Sequence, residues 1–326
     1  MPFPTDGLIS SDAELALERL RNGGLVAIPT ETVYGLAADA EQPDAVARIY
    51  AIKGRPLHHP LIVHVAGADS VDGWVAEFSE PARKLAAACW PGPLTMLLPR
   101  GPRCSVQITG GKTTVGVRVP SHPLTLELLA RFGGGLAAPS ANRFGKVSPT
   151  TAQHVHHDLA GLLEPGRDLI LDGGACEIGV ESTIVDLTVE PPQVLRAGAI
   201  TATEIGRLLS VPTAPASGPS RASGMMVSHY APECAVLLAE NRVEAEGIAA
   251  GRRSRGERVG VLDRGDDLVI AAQLLYSDLR AADESHLDAV VVVMPPPHGI
   301  GHAVRDRLTK AASRAVPAPG DPNPAG

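Results

Sequence analysis

Aromatic residues make up only 3% of the 326-residue chain, so Ala, Val and Leu have to fill its interior, and platforms for stacking RNA bases are scarce. Cysteine is sparse too. Cys89, Cys104, Cys176 and Cys234 are scattered without a CxxC pair, which signals neither a zinc site nor a disulfide framework and fits buried or half-buried thiols in a reducing compartment. Positive charge is not in excess: a formal net charge of −7 argues against coating nucleic acid along the whole surface, while leaving room for a local basic groove. No long uncharged apolar run occurs, and Asp12, Glu14 and Glu18 stand where a signal peptide would be basic and then apolar, so a cytoplasmic protein with no membrane association is expected.

Several familiar motifs are also missing or incomplete. There is no GxSxG nucleophile elbow. Gly111-Lys112-Thr113 ends like a phosphate-binding loop, but Val106 replaces the required earlier glycine and strand-like residues follow up to Pro120. Gly299-Ile300-Gly301 resembles a dinucleotide fingerprint whose third glycine position is Val304, and tight-turn geometry explains it better. His154, His156 and His157, and the pair His298 and His302, carry no metalloprotease glutamate and read as surface histidines.

What is present is a regular alternation of helix-like and strand-like segments. The length exceeds what one core usually holds, so two domains are expected. Ser11 reads as the N-cap of a helix through Leu20, followed by an apolar strand at Leu25 to Pro29; a helix near Pro43 to Ile52 and a buried strand at Leu61 to Val65 come next. Ser79-Glu80-Pro81 opens a helix through Cys89, and strands are expected at Leu94 to Leu98 and Thr114 to Val119. A helix at Pro123 to Phe132 stops at three glycines, and Ser148-Pro149 has the cap-then-proline signature of a helix through Leu159. Strands at Leu169 to Leu171, Ser182 to Leu187 and Gln193 to Arg196 complete a layered α/β domain over residues 1–210. The stretch Val211 to Gly224, rich in Pro, Ala, Ser and Gly, reads as a linker that continues to residue 234. Residues 235–316 form a smaller α/β domain, and 317–326 a Pro- and Gly-rich disordered tail.

Polar residues beside the buried-strand patterns supply the candidate site. Thr30, Glu31 and Thr32 follow an apolar strand, at the edge where ligands collect in open α/β sheets, although capping residues of a turn would look the same. Lys53 and Arg55 flank Gly54 on an irregular loop that suits phosphate oxygens or forms a solvated surface pair. His64 interrupts the run Leu61 to Val65, as a core group or a pocket wall. Arg118 sits inside Val115 to Val119, where a buried guanidinium needs an anion, from the protein or from a ligand. Ser140 and Asn142, then Ser148 and Thr150, then Ser182, Thr183 and Arg196, extend the set. The shared chemistry is phosphate and carboxylate binding, with neither a metal cluster nor an acid/base dyad.

The segments PTETVYGLAADA (29–40), KGRPLHHPLIVHV (53–65), WPGPLTMLL (90–98), VGVRVPSHP (115–123), APSANRFGKVSPTTA (138–152), ESTIVDL (181–187), LRAGAI (195–200), SGMMVSHYAP (223–232) and GIGHAVRDRLTKAA (299–312) resemble the YrdC-like threonylcarbamoyl-AMP synthases in their longer, two-domain form. The resemblance implies a YrdC-like twisted open sheet with helices around a concave basic cavity, plus a smaller C-terminal Rossmann-like α/β domain. It implies that L-threonine, bicarbonate and ATP yield threonylcarbamoyl-adenylate and pyrophosphate, and that partner proteins use the adenylate to modify tRNA, which leaves room for a weak tRNA contact by the enzyme. Thr32, His64, Arg118, Ser140 and Ser182 would surround threonine, Arg118 taking its carboxylate. Lys53, Arg55, His59, Thr114, Asn142, Ser148, Thr150 and Arg196 would line the ATP site, with Tyr230 closing over the nucleotide; Lys53, Arg55 and Arg118 are the expected catalytic charges. Magnesium is expected on the phosphate oxygens rather than in a protein cage. The sequence departs from the family at Met225 to Ser228, where basic residues are frequent, at Phe144, and at His59, where Asn is common. Two other readings remain at this stage: a noncatalytic tRNA or double-stranded RNA binder, whose affinity would fall steeply with salt, and the carbamoyl-transferring relatives, which carry extra domains.

Overall fold

A computed structural model describes residues 7–217 and 230–313; Met225 to Ser228 of the linker and the expected disordered tail lie outside the described residues. The chain begins with β1 (Ile9–Ser10), α1 (Ala13–Arg21), β2 (Val26–Ile28), β3 (Gly35–Asp39), α2 (Pro43–Lys53) and β4 (Ile62–His64). After a short 3-10 turn come α3 (Glu80–Cys89), β5 (Leu94–Pro99), α4 (Val106–Thr109), β6 (Thr114–Arg118), α5 (Pro123–Phe132) and β7 (Leu136–Ala137). Next are α6 (Ala152–Leu159), β8 (Leu169–Leu171), β9 (Thr183–Asp186), β10 (Gln193–Arg196), α7 (Ala202–Leu209) and β11 (Ala214–Pro215). These strands make one mixed sheet ordered β1-β8-β2-β3-β7-β4-β6-β5-β9-β10-β11. The rest, β12 (Ala235–Ala239), α8 (Arg242–Arg253), β13 (Val259–Leu262), α9 (Leu268–Glu284), β14 (Ala289–Val293) and α10 (Gly301–Ala312), wraps a parallel sheet ordered β12-β14-β13. The expected α/β class, with a second, smaller Rossmann-like unit, is the architecture adopted.

Side-chain alternation divides the large sheet into two differently covered halves. In the half around β2, β3 and β8, Val26, Ile28, Ala37, Leu169 and Leu171 pack with Leu17, Leu20, Leu128 and Leu129 of α1 and α5. Their neighbours in sequence, Leu25, Ala27, Leu36, Ala38 and Ile170, face the opposite core with α2, α3, α6 and α7. Both faces are dry, so these strands read as unbroken apolar runs. In the half around β4, β5, β6 and β9 the same core takes Val63, Val65, Met96, Leu98, Val115, Val117 and Val185. The alternate residues there are Ile62 and His64, Thr95 and Leu97, Gly116 and Arg118, which leaves one face of this half partly polar.

Two helix starts differ from expectation. Asp12, not Ser11, caps α1, its Oδ1 accepting the Glu14 and Leu15 amides at 2.9 and 3.2 Å, because a carboxylate beside the positive helix end is better placed than a hydroxyl one residue further out. The helix expected after Ser148-Pro149 starts only at Ala152, where Thr151 Oγ1 accepts the His154 amide at 3.2 Å. Ser148 is drawn away by a buried carboxylate, as described below. Ala214–Pro215, inside the stretch read as linker, adds an edge strand parallel to β10.

The smaller unit packs directly onto the larger one. Val33, Val147 and Val180 share an apolar cluster with Tyr230, Ala272, Leu275, Tyr276 and Leu308. Arg280 of α9 clasps Asp158 of α6 through two bonds of 2.9 and 2.6 Å and donates to Val147 O at 2.5 Å. The backbones also come close at Gly179, which has φ +80° and where a Cβ would lie 2.4 Å from Ala272 O of α9.

Candidate active site

The partly polar sheet face is the floor of a cavity. His64 at the end of β4 is the register partner of Arg118 at the end of β6, so the two side chains share that face. Arg196 pairs with Ile184 across β9 and β10, and Ser182 lies just ahead of β9. The cavity is lined by Thr30, Thr32, Arg55, His64, Arg118, Ser140, Glu181, Ser182, Arg196 and Tyr230, with Ile62, Val33 and Pro139 between them.

Eight of the expected residues thus converge: Thr32, Arg55, His64, Arg118, Ser140, Ser182, Arg196 and Tyr230. Arg118 Nη2 donates to Glu31 Oε1 at 2.7 Å and its Nε to Gly92 O at 3.3 Å, while Glu31 Oε2 accepts the Ser121 amide at 3.1 Å. Both members of this pair are buried, so the partner that the buried arginine required is a carboxylate of the chain itself, and Nη1 has no bond to a described residue. Thr32 Oγ1 lies 2.9 Å from Thr30 Oγ1. Ser182 Oγ is 2.8 Å from Thr95 Oγ1 and accepts from Arg196 Nη2 at 3.0 Å, while Arg196 Nε donates to Ser182 O at 2.9 Å. Arg55 donates to the carbonyls of His59 and Pro60 and lies over the Phe144 ring, 5.6 Å from its centre.

The other expected residues stand behind or away from the cavity surface. Lys53 is buried, and its Nζ donates to Ser140 O at 2.6 Å and Asn142 O at 2.5 Å; the two carbonyls offset the desolvation of the ammonium. Burial, then the charge of Arg55, pulls its pKa well below that of an ordinary lysine. Asn142 Nδ2 donates to Arg143 O and Lys146 O at 2.8 and 2.7 Å, closing its own loop. His59 contributes a carbonyl to Arg55 and packs its ring edge-on to Phe144, 5.2 Å between centres. Thr114 opens β6 on the same face as Arg118, but it lies four steps of extended strand away, roughly 13 Å. Thr150 Oγ1 faces Ser277 Oγ of α9 at 3.2 Å. Ser148 Oγ donates to Glu181 Oε1 at 2.6 Å.

Glu181 escaped the sequence reading as a site residue. It is buried and accepts from Ser148, from Tyr276 OH at 2.8 and 3.0 Å, and from Arg307 Nε at 2.9 Å. Burial alone would raise its carboxyl; the charges of Arg307 and Arg196 and the Ser148 hydroxyl outweigh it and hold the group at about 2. A signal for Arg307 was available in the sequence: it falls on the apolar stripe of α10 with Ala303, Val304, Leu308 and Ala311, where a guanidinium demands a buried anion.

Electrostatically the wall offers the guanidiniums of Arg55, Arg118 and Arg196 against one lining carboxylate. Burial lowers Arg55 to about 10, still protonated at neutral pH. Burial and the neighbouring Arg118 push the His64 imidazole down to about 3, so it is neutral, and its buried Nδ1 makes no hydrogen bond to a described residue. A base that weak is a hydrogen-bond acceptor, not a proton store. Among the described residues no group of three or more His, Cys, Asp or Glu is placed to hold a metal ion. The arrangement is suited to gripping an anion with carboxylate and phosphate character and aligning it in a dry cleft.

Comparison with known proteins agrees with this chemistry. A family model for Sua5, YciO and YrdC proteins, described as telomere recombination, matches residues 18–198, and one described as the threonylcarbamoyl-AMP synthase C-terminal domain matches residues 200–313. The chain is 39% identical to the threonylcarbamoyl-AMP synthase of Pyrococcus abyssi, over 91% of this chain and 93% of that one. It is 38% identical to that of Bacillus subtilis, over 96% of both. The crystal structure of P. abyssi Sua5 complexed with L-threonine superimposes with a TM-score of 0.86 at 38% identity, covering 92% of this chain and 94% of that one.

Proposed function

The chain belongs to the Sua5/YciO/YrdC family, and on that premise we propose that it is a threonylcarbamoyl-AMP synthase, a nucleotidyl-transferring enzyme that makes the adenylate for tRNA modification. The observation that carries the reading is the composition of the cavity lining: three guanidiniums, Arg55, Arg118 and Arg196, with a neutral His64, the hydroxyls of Thr30, Thr32, Ser140 and Ser182, and Tyr230.

In this reading the threonine carboxylate binds Arg118, whose orientation is set by Glu31 and Gly92 O, with Thr32, His64, Ser140 and Ser182 around the side chain and amine. Arg55 and Arg196 face the nucleotide phosphates, and Tyr230 bounds the nucleotide. Bicarbonate loses hydroxide to become carbon dioxide, the unprotonated amine nitrogen bonds to its carbon, and the proton the nitrogen gives up joins that hydroxide as water. A carbamate oxygen then attacks the α-phosphorus, and the bond to the bridging oxygen breaks so that its electron pair leaves with pyrophosphate. No side chain forms a covalent intermediate; the protein contributes alignment and stabilisation of charge as it builds on the α-phosphate. Lys53, Asn142 and Ser148 act one layer back by fixing the loop and wall, while His59, Thr114 and Thr150 belong to the surroundings of the nucleotide channel. Magnesium enters with ATP as part of the substrate, since the lining carboxylate Glu181 is already committed to Ser148, Tyr276 and Arg307. The adenylate then passes to tRNA-modifying partner proteins in the cytoplasm; among the described residues no helix is long and apolar enough to cross a membrane.

The test is pyrophosphate release from ATP with magnesium and bicarbonate, with and without L-threonine. Release should require threonine. Arg118→Lys, which keeps a charge for Glu31 but loses the planar fork, should lower kcat/KM for threonine by about 100-fold. Threonine-independent release would overturn the reading, and no release together with salt-sensitive tRNA binding would replace it with an RNA-binding role.

A further inference from the structure

Arg307 lies in the smaller unit, on α10, yet its guanidinium is fully buried against the wall of the cavity in the larger one. Its Nε donates to Glu181 at 2.9 Å and its Nη2 to Ala197 O, also at 2.9 Å, one residue beyond Arg196. The same guanidinium lies over the Tyr230 ring, 5.3 Å from its centre, and Tyr276 of α9 also stacks on Tyr230, 5.7 Å between centres, while its hydroxyl donates to Glu181. Two residues of the second unit therefore hold the backs of two cavity-lining residues, Glu181 and Tyr230.

Three features argue that this is more than a structural seam. Glu181 faces the cavity, and the Arg307 guanidinium that holds it also grips the carbonyl of Ala197, the residue next to the cavity-lining Arg196. Tyr230 has φ +64°, a left-handed conformation that is strained for a non-glycine residue and persists only where packing enforces it. Gly179, two residues before Glu181, can approach α9 as closely as it does only because it lacks a Cβ.

We propose that Arg307 and Tyr276 are positioning residues for the nucleotide end of the active site, acting through Glu181 and Tyr230, so that the second unit is a working part of the cavity wall. The inference rests on the synthase reading above for which end takes the nucleotide. It assigns ATP binding, and not threonine binding, as the property under the control of the second unit.

The experiment uses the full chain with Tyr276→Phe, Arg307→Lys and Arg307→Met. Calorimetric L-threonine affinity, KM for ATP, kcat and thermal midpoint are measured for each. Tyr276→Phe keeps the ring and removes one hydrogen bond to a buried carboxylate; it should raise KM for ATP by roughly tenfold while leaving the threonine Kd within about twofold. Arg307→Met should do more, and Arg307→Lys should recover part of the loss by restoring charge without the fork. Equal loss of ATP and threonine affinity, or unchanged ATP kinetics in folded Tyr276→Phe, would overturn the proposal. Should Arg307→Met fail to fold, Tyr276→Phe alone decides. A wild-type chain without threonine-dependent pyrophosphate release would refute the synthase reading, and calorimetric ATP binding by wild type and Tyr276→Phe would still test the positioning role.

Discussion

His64 shows how one buried side chain ties the site to the pH stability of the fold. Its folded pKa of about 3 lies below the ordinary 6.5, so between these values the unfolded chain binds the proton that the folded chain refuses. Its contribution is therefore fully present above pH 6.5 and is lost as pH falls from 6.5 towards 3. Urea unfolding at pH 7, 6 and 5 should show wild-type stability falling more steeply than that of His64→Gln, the difference approaching about 1.4 kcal/mol per pH unit. His59 and His154, both held near 4 chiefly by burial, stay in both proteins and drop out of the difference. Parallel slopes would mean that His64 is solvated or paired in the folded state. Glu181 works in the same sense at lower pH: held at about 2, it supports the fold above the ordinary carboxylate range and loses that support as pH falls from about 4.5 towards 2.

At the scale of elements, the turn into α6 separates a capping role from a site role for two neighbouring hydroxyl residues. Thr151 caps the helix, and Ser148 serves Glu181. Thr151→Ala should cost about 1 kcal/mol in denaturant unfolding and leave the kinetics alone. Ser148→Ala should cost a similar amount or somewhat more, about 1–3 kcal/mol, because a buried carboxylate loses a donor, and should also raise KM for ATP. A kinetic defect confined to Thr151→Ala would reverse the assignment. The same turn shows what was legible: the Ser-Pro pair announced a helix near Leu159 correctly but not its first residue, because a cap is settled by which competing partner is closer in space. Pro123 to Phe132, with proline at its start and Gly133 after it, has no such competitor, and the expected helix matches the observed one residue for residue.

For the molecule as a whole, the seam between the two units is the load on which the cavity wall depends. Gly179→Ala would combine a positive φ with a Cβ 2.4 Å from the α9 backbone. It should lower the thermal midpoint by several degrees and raise KM for ATP. Gly256→Ala is the control, with φ +87° and no atom within 4 Å of its added Cβ; it carries only the backbone strain, about 1–2 kcal/mol, and should leave ATP kinetics untouched. Equal effects of the two substitutions on KM for ATP would remove the seam from the account of activity.

The sequence alone determined the α/β alternation, most element positions and the chemical class of the site, because hydrophobic period and capping chemistry act within a few residues. Period-two alternation even held the facing of His64 and Arg118: in Val115 to Val119 the valines go to one side and Gly116 and Arg118 to the other. Only the tertiary structure decided who closes each buried charge. The chain delivers Glu31 to Arg118 across a separation of 87 residues, orienting it for a ligand, and Arg307 meets Glu181 across 126. It likewise set the Lys53 ammonium against the Ser140 and Asn142 carbonyls, two contacts that no local pattern announced. Local pattern states that a buried charge needs a partner; which partner arrives is a property of topology, since strand order and the docking of α9 and α10 bring together groups that no short window of sequence contains.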